Sequence, residues 1–401
     1  MTRLKAKVKP DVLIWARQSA GYSLEQAAKG LSIEPAILAS WEAAEDAPSI
    51  PKLRKLAYLY KRPLAVLYLP EPPMKFQPMR DFRRLAGNQM PSIAPAIVIE
   101  ERKARQKREL AVELAKDLDD PIAEFTLSAS MTENPEVVGA RVREQLEVTS
   151  MLQRSWRDPE GRLAFKGWRE RIESRGVLVL QSNAFSSDEA SGFAIWESVS
   201  PVIVVSRKAT HPRKRTFSLL HEFAHLLLRA SGVSDLEIDG DSRRPPEEQK
   251  VEVFCNAVAA AALIPQEDLL AQPAVNKHSH DEMEWSDAEL SDISRAFGVS
   301  RETVLRRLLT LKRTTKVFYQ VTRERYNDEW DQSRARQKTE AKAEGIPRNM
   351  PQEAVNDIGK PLISRLLERY HQDYMSLSEV AGYLGLKAKH VGKVEQMMRR
   401  P

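Results

Sequence analysis

The chain has 401 residues, 42% of them hydrophobic and 29% charged, with a formal net charge of +6 and a single cysteine. That length has room for roughly two to four domains; the lone Cys255 excludes an intramolecular disulfide and suits a reducing cytoplasm. No 18-residue apolar run is present to span a membrane, residues 1–10 are basic without the apolar core of a secretion signal, and the modest positive balance permits nucleic-acid binding without requiring it. The expectation is a cytoplasmic protein with no membrane partner.

Residues 8–70 read as a separate helical unit. Helices are predicted over 13–18, 23–29 with Ser23 as N-cap, and 35–42 with Pro35 in the first turn, then over 50–60 and 63–69, with a tight turn at 30–33. Leu13, Trp15, Ala27, Ala28, Leu31, Ile33, Leu38 and Trp41 supply one core. This five-helix pattern resembles the Cro/C1-type (XRE) helix-turn-helix domain, and Arg80-Asp81-Phe82-Arg83 resembles the junction between such a domain and a following peptidase. Its charge argues against simple reading of DNA. Residues 23–48 hold one cation, Lys29, against Glu25, Glu34, Glu42, Glu45 and Asp46, and helix 35–42 has no Arg, Lys, Asn or Gln for base edges. Docking to a related helix-turn-helix protein is the competing reading, while Arg3, Lys5, Lys7, Lys9, Lys52, Arg54 and Lys55 keep DNA open.

Residues 71–160 are expected to form a helical connector. The proline-rich 70–78 stretch marks a boundary, and 96–117 is a charged helix read as solvated. A helix over 163–175 and strands over 176–180, 193–196 and 201–205 then suggest a small sheet. An extended peptide could add to an exposed edge of such a sheet; which strand forms that edge is not legible.

The most informative motif is His221-Glu222-Phe223-Ala224-His225, inside a predicted helix over 215–229. Four residues make about one helical turn, so both imidazoles project from one face and can occupy two corners of a tetrahedral zinc site. Glu222 falls beside the open position, where a water would lose its proton to it. Apolar flanks (Phe217, Leu219, Leu220, Leu226, Leu227, Leu228) bury the motif, and a plain core helix has little use for two histidines and a glutamate there. Catalytic zinc takes a third protein ligand. Downstream, an apolar helix runs from Glu252 to Ile264 and stops at Pro265; Glu252 is in phase with its apolar stripe and shares a face with Asn256, whereas Glu247 and Glu248 read as exposed N-terminal charges.

The histidine motif, followed 27 residues after His225 by Glu252-x-x-Cys255-Asn256 and an alanine-rich run closing on Leu263-Ile264-Pro265, resembles the ImmA/IrrE family of bacterial and phage metallopeptidases over about 165–311. The resemblance implies a zincin-like, gluzincin-type centre with His221, His225 and Glu252 on zinc and Glu222 as general base. Ala224 stands where glycine is common, and Cys255 where alanine is, as a small buried thiol. The oxyanion-stabilising donor has no spacing that picks it out.

The peptidase core is placed at 161–284 and a C-terminal helical region at 285–401. There the helix-turn-helix grammar recurs: residues 376–386 parallel 23–33, with Val391, Val394 and Glu395 opposite Leu38, Trp41 and Glu42, and Leu290, Ile293, Phe297, Gly298, Val299 and Val304 keep the same offsets more faintly. Arg301, Arg306 and Arg307, and Lys387, Lys389 and Lys393, make these later hairpins the more basic candidates for DNA contact. Residues 235–246 read as a polar loop, 317–348 as a basic long helix or mobile arm, and His278-Ser279-His280 as a loop sequence rather than a second metal site.

The expected fold is mainly α with a small β-sheet (α+β). The expected function is an intracellular zinc-dependent endopeptidase whose substrate, as the resemblance implies, is a helix-turn-helix repressor or antitoxin-type partner. The alternative is a DNA-binding transcriptional regulator, or the toxin of a toxin–antitoxin pair, in which the peptidase fold is sensor or scaffold.

Overall fold

Four helices and a 3-10 turn come first in the chain. α1 (Pro10–Gln18), α2 (Leu24–Leu31), α3 (Pro35–Glu42) and α4 (Ile50–Leu59) pack around Leu13, Leu31, Leu38, Trp41, Leu53 and Leu56. The fifth helix expected in this unit is a 3-10 helix, Leu64–Tyr68, starting just after Pro63. The computed structural model describes residues 5–73, 80–81, 94–186, 190–208, 211–234, 246–278, 283–344 and 349–399. Arg3, Phe82, Arg83, Ser279, His280 and the loop expected at 235–245 lie outside the described residues, as do the last residues of the basic 317–348 segment.

After the N-terminal unit comes a two-residue strand, β1 (Arg80–Asp81), then α5 (Pro95–Asp117), α6 (Pro135–Gln145), α7 (Ser150–Ser155) and α8 (Arg162–Glu173). β2 (Leu178–Ser186), β3 (Gly192–Ile195), β4 (Val202–Lys208), α9 (Pro212–Leu227) and β5 (Gly232–Ser234) follow. The remainder is helical: α10 (Pro246–Leu263), α11 (Gln266–Leu270), α12 (Pro273–Lys277), α13 (Asp287–Phe297), α14 (Arg301–Thr310), α15 (Lys316–Glu344), α16 (Met350–Ile358), α17 (Lys360–His371), α18 (Leu377–Leu384) and α19 (Val391–Met398). Among the described residues no helix is long and apolar enough to cross a membrane.

The sheet has order β1-β5-β3-β4-β2, with β2 parallel to β4, β3 antiparallel to both β4 and β5, and β1 parallel to β5. Its edges are therefore β2 and β1, and the chain's own residues 80–81 cover the free side of β5. Both faces are buried. Val179, Ala194, Ile203 and Val205 enter the core that holds α6, α8, α9 and α10, while Leu178, Leu180, Phe193, Ile195, Val202 and Val204 point the other way. Strands covered on both faces read as continuous apolar runs, as these do.

Several expectations need correction. The 71–160 stretch is not a connector: Ile97, Ala104, Ala111 and Leu114 of α5 enter the second core, with Leu362, Leu366, Val380 and Val394 of the C-terminal helices, and α6 packs along α10. Gly139 of α6 permits that approach; a Cβ there would meet the Ala261 Cβ at 2.6 Å. The cores also ignore the 284/285 boundary, since Leu290, Ile293, Leu305, Leu308, Tyr319 and Tyr326 share the core of α9 and α10. The two tyrosines anchor α15, so its first half is a packed helix rather than an arm. Finally, the arginines of helix 301–307 are used internally. Arg307 is fully buried on Glu136, Arg301 pairs with Glu329 at 2.8 Å, and Arg306 faces Glu302 at 3.7 Å. All three already carry ion pairs within the fold.

The repeated hairpin grammar is present in all three places. Ser23 with Gln26, Ser286 with Glu289 and Ser376 with Glu379 each form a reciprocal capping box. Each first helix then ends on a left-handed residue, Ser32, Gly298 or Gly385.

Candidate metal centre

α9 begins where His211 caps it, its Nδ1 accepting from the Arg213 N–H at 3.2 Å, with Pro212 in the first turn. Every residue from Thr216 to Leu227 is buried. The helix carries His221, Glu222 and His225 into the core between the sheet and α10, and none of the three is exposed. Ala224, also buried, packs in that core without disturbing the ligand face.

α10 supplies Glu252, 1% exposed, from its second turn rather than its start. The far end of this helix is held by side chains from three other elements. Arg143 of α6 donates to the Ala262 carbonyl at 2.8 Å, Gln153 of α7 to the Leu263 carbonyl at 2.8 Å, and Arg307 of α14 to the Ile264 carbonyl at 2.8 Å. These are carbonyls a helix C-terminus leaves without intrahelical partners. Arg307 is itself gripped by both carboxylate oxygens of Glu136.

The structure brings His221, His225 and Glu252 together, with Glu222 next to His221 on the same helical turn. His221 Nε2 lies 3.2 Å from His225 Nε2, 3.3 Å from Glu252 Oε2, and His225 Nε2 lies 3.4 Å from Glu252 Oε1. Ligand atoms bound about 2.0–2.2 Å from a tetrahedral zinc are separated by about 3.3–3.5 Å, so each ring nitrogen stands about that far from the other and from its nearer Glu252 oxygen. Hydrogen bonds alone explain the triangle poorly. If both rings donate to Glu252, two N–H groups converge at 3.2 Å; if one does not, its lone pair faces a carboxylate. A single cation satisfies all three groups.

The protonation states agree. Burial lowers the His221 pKa in spite of Glu252, favouring the neutral ring that ligates metal. Burial opposes charge on Glu252, but its contacts with the two rings outweigh it and hold the carboxyl below its ordinary range. Cys255 next to Asn256 is pushed well up by burial and by Glu252 and Glu222, which leaves an inert thiol.

Two neighbours were not singled out as site residues. Asn256 donates Nδ2–H to the Glu252 carbonyl at 2.8 Å, and its carboxamide also interacts with the His221 ring. The i, i+4 spacing from Glu252 was the available signal. Gly192 of β3 faces Glu222: a Cβ there would lie 2.9 Å from Glu222 Oε1 and 2.6 Å from the Val204 carbonyl oxygen. Only glycine lets the strand pass so close to that carboxylate, and nothing in the sequence flags it. His278 is no ligand; it stacks on Trp285 at 3.9 Å and bonds Glu289 at 2.9 Å. Among the described residues, His221, His225 and Glu252 form the one cluster with metal-ligand geometry.

Two histidines one turn apart and a carboxylate from a second helix, with a glutamate next to the first histidine, form a cluster that could hold a metal ion. The family comparison finds two domains: residues 172–309 match the IrrE N-terminal-like domain of the Peptidase_M78 family, and residues 13–67 match a helix-turn-helix model. The chain thus carries an ImmA/IrrE-type peptidase domain fused to an N-terminal XRE-type helix-turn-helix domain. No match to the chain was found among curated proteins.

Proposed function

We propose that this chain is a zinc-dependent endopeptidase, with His221, His225 and Glu252 holding the metal and Glu222 as general base. The observation that carries this reading is the 3.2–3.4 Å triangle of ligand atoms with Glu222 on the same helical turn. Zinc held by these three residues would supply Lewis acidity for a peptide carbonyl and a water of lowered pKa, about 7. Glu222 takes the proton of the attacking water and passes it to the leaving amine. Asn256 orients His221, and Gly192 leaves the Glu222 carboxylate the room it needs. The buried, water-poor setting strengthens each of these electrostatic interactions.

The substrate we favour is a helix-turn-helix repressor or antitoxin-type protein, recruited by the N-terminal unit. The outward face of α3 carries Ala36, Ile37 and Ser40, its Glu42 is held by Arg17 through two bonds of 2.8 Å, and Glu34 and Glu45 flank it. That surface is apolar and acidic, which suits a protein partner better than phosphates. The test compares cells expressing wild type and Glu222→Gln, with mass spectrometry of helix-turn-helix proteins. Fragments of one such protein that appear only with wild type support the reading; identical peptide profiles contradict it.

The match of residues 13–67 to a helix-turn-helix model favours a second reading, a DNA-binding regulator with the peptidase fold as sensor or scaffold. A salt series of binding to the chain's own upstream DNA decides it, since phosphate contacts require affinity that falls steeply with ionic strength.

A further inference from the structure

A cavity of about 760 Å³ lies where α8, β2, β4 and the first turn of α9 meet α16 and Lys360. Its lining holds Arg162, Lys166, Arg169, Arg207, Arg215 and Lys360 against only Glu170 and Glu173. Some of that positive charge is neutralised. Arg169 donates to Glu173 at 2.8 Å, to the Asn356 carbonyl at 2.7 Å and to the Val179 carbonyl. Arg207 sits 3.1 Å from Asp357 and 4.0 Å from Glu353, and Lys360 sits 3.4 Å from Glu170.

Arg215 is different. Its Nη1 donates to the Gln181 side chain at 2.7 Å and its guanidinium stacks over Phe165 at 5.4 Å, with no carboxylate paired to it among the described residues. The Nε–H groups of both Arg207 and Arg215 are buried without a hydrogen-bond partner. Burial, then the charges of Arg207 and Arg162, bring the Arg215 pKa down to about 10. A buried donor left without a partner destabilises the fold. An anion in the cavity relieves the mutual repulsion of these guanidinium groups.

We propose that this cavity binds a phosphorylated small molecule of nucleotide size, with its phosphate groups on Arg215, Arg207 and Lys360. The volume falls within the ~300–1,000 Å³ of small-molecule pockets. Phe165, Pro212 and Val355 offer apolar surface for an organic body, and Gln352 an amide for its polar edge. The fork of a guanidinium matches phosphate oxygens, and this many cations exceeds what a simple carboxylate neutralises. A nucleic-acid backbone needs cations displayed on an open face, whereas Arg169, Arg207, Arg215 and Lys360 are buried or half-buried. The bound molecule would join α9, six residues before His221, to the C-terminal helices. Binding does not depend on the peptidase reading.

Isothermal titration of the full chain with AMP, ADP, inorganic phosphate and a short DNA duplex tests this at low ionic strength. The expected result is saturable one-to-one binding of a nucleotide, weakened at least tenfold in Arg215→Gln and in the Lys166→Glu/Lys360→Glu double variant. The double variant alters the cavity's more accessible side chains, so it remains informative if the Arg215 variant does not fold. Absence of nucleotide binding at millimolar concentration, nucleotide affinity unchanged in the double variant, phosphate binding as tightly as the nucleotides, or binding of the duplex alone would each overturn the proposal.

Discussion

α9 and α10 meet at one metal-sized triangle, yet they reach it by different means. α9 places three functional groups within a single turn, so their geometry is local and follows from helical periodicity. α10 brings one ligand, and its position depends on Arg143, Gln153 and Arg307 gripping its last carbonyls from three other helices. One half of the centre is thus built by spacing and the other by packing. Breaking each half should fail in a different way.

The largest effect is expected on α9. Replacing Glu222 with Gln should lower cleavage of the partner by about 10²–10⁴-fold while zinc content stays at the wild-type level, read by activity and metal analysis side by side. On α10 the damage should come through structure. Arg307→Leu removes the clamp on Ile264 and leaves Glu136, one-third exposed, without its cation. A loss of about 3 kcal/mol in unfolding free energy is expected, the low end for a broken buried pair, along with weaker zinc binding; unchanged denaturation and zinc affinity would show that α10 is placed by its apolar face alone. Asn256→Ala should weaken zinc about 10–100-fold without unfolding the chain, measured by competition with a chromophoric chelator.

The smallest effect lies outside both helices. Burial raises the Asp357 pKa to about 6, against the pull of Arg207 and Lys107. A carboxyl raised in the fold contributes stability below its unfolded pKa of about 3.9, and that contribution is lost as pH rises through about 6. Asp357→Asn should therefore flatten the stability profile between about pH 4 and 6, by less than about 3 kcal/mol after solvent screening. Parallel wild-type and variant profiles across that window would contradict the assignment. Zinc binding should be unaffected, which separates this change from the two helices.

The same division explains what was legible. His221, Glu222 and His225 stand out because one turn of helix aligns them, and Glu252 because it keeps phase with an apolar stripe. Ser23, Pro35 and the other caps placed the N-terminal helices to within a few residues. What escaped notice acts across the fold. Arg307 is 43 residues from the carbonyl it holds and 171 from Glu136, so its charge reads as a surface feature. Gly192 matters only because a strand passes Glu222. The apolar stripe of α5 is diluted by Glu, Arg and Lys on its other faces, and its burial against the second face of the sheet was not expected. β1 and β5 are too short to carry a period-2 pattern at all.

The central claim is that the triangle of His221, His225 and Glu252 is a cation site. Its most direct test is the zinc content of the purified full chain, wild type against Glu252→Ala. The account predicts one zinc per wild-type chain and well under one in the variant, with both proteins folded. A wild-type chain that takes up no zinc, or a variant that keeps a full equivalent, would contradict it.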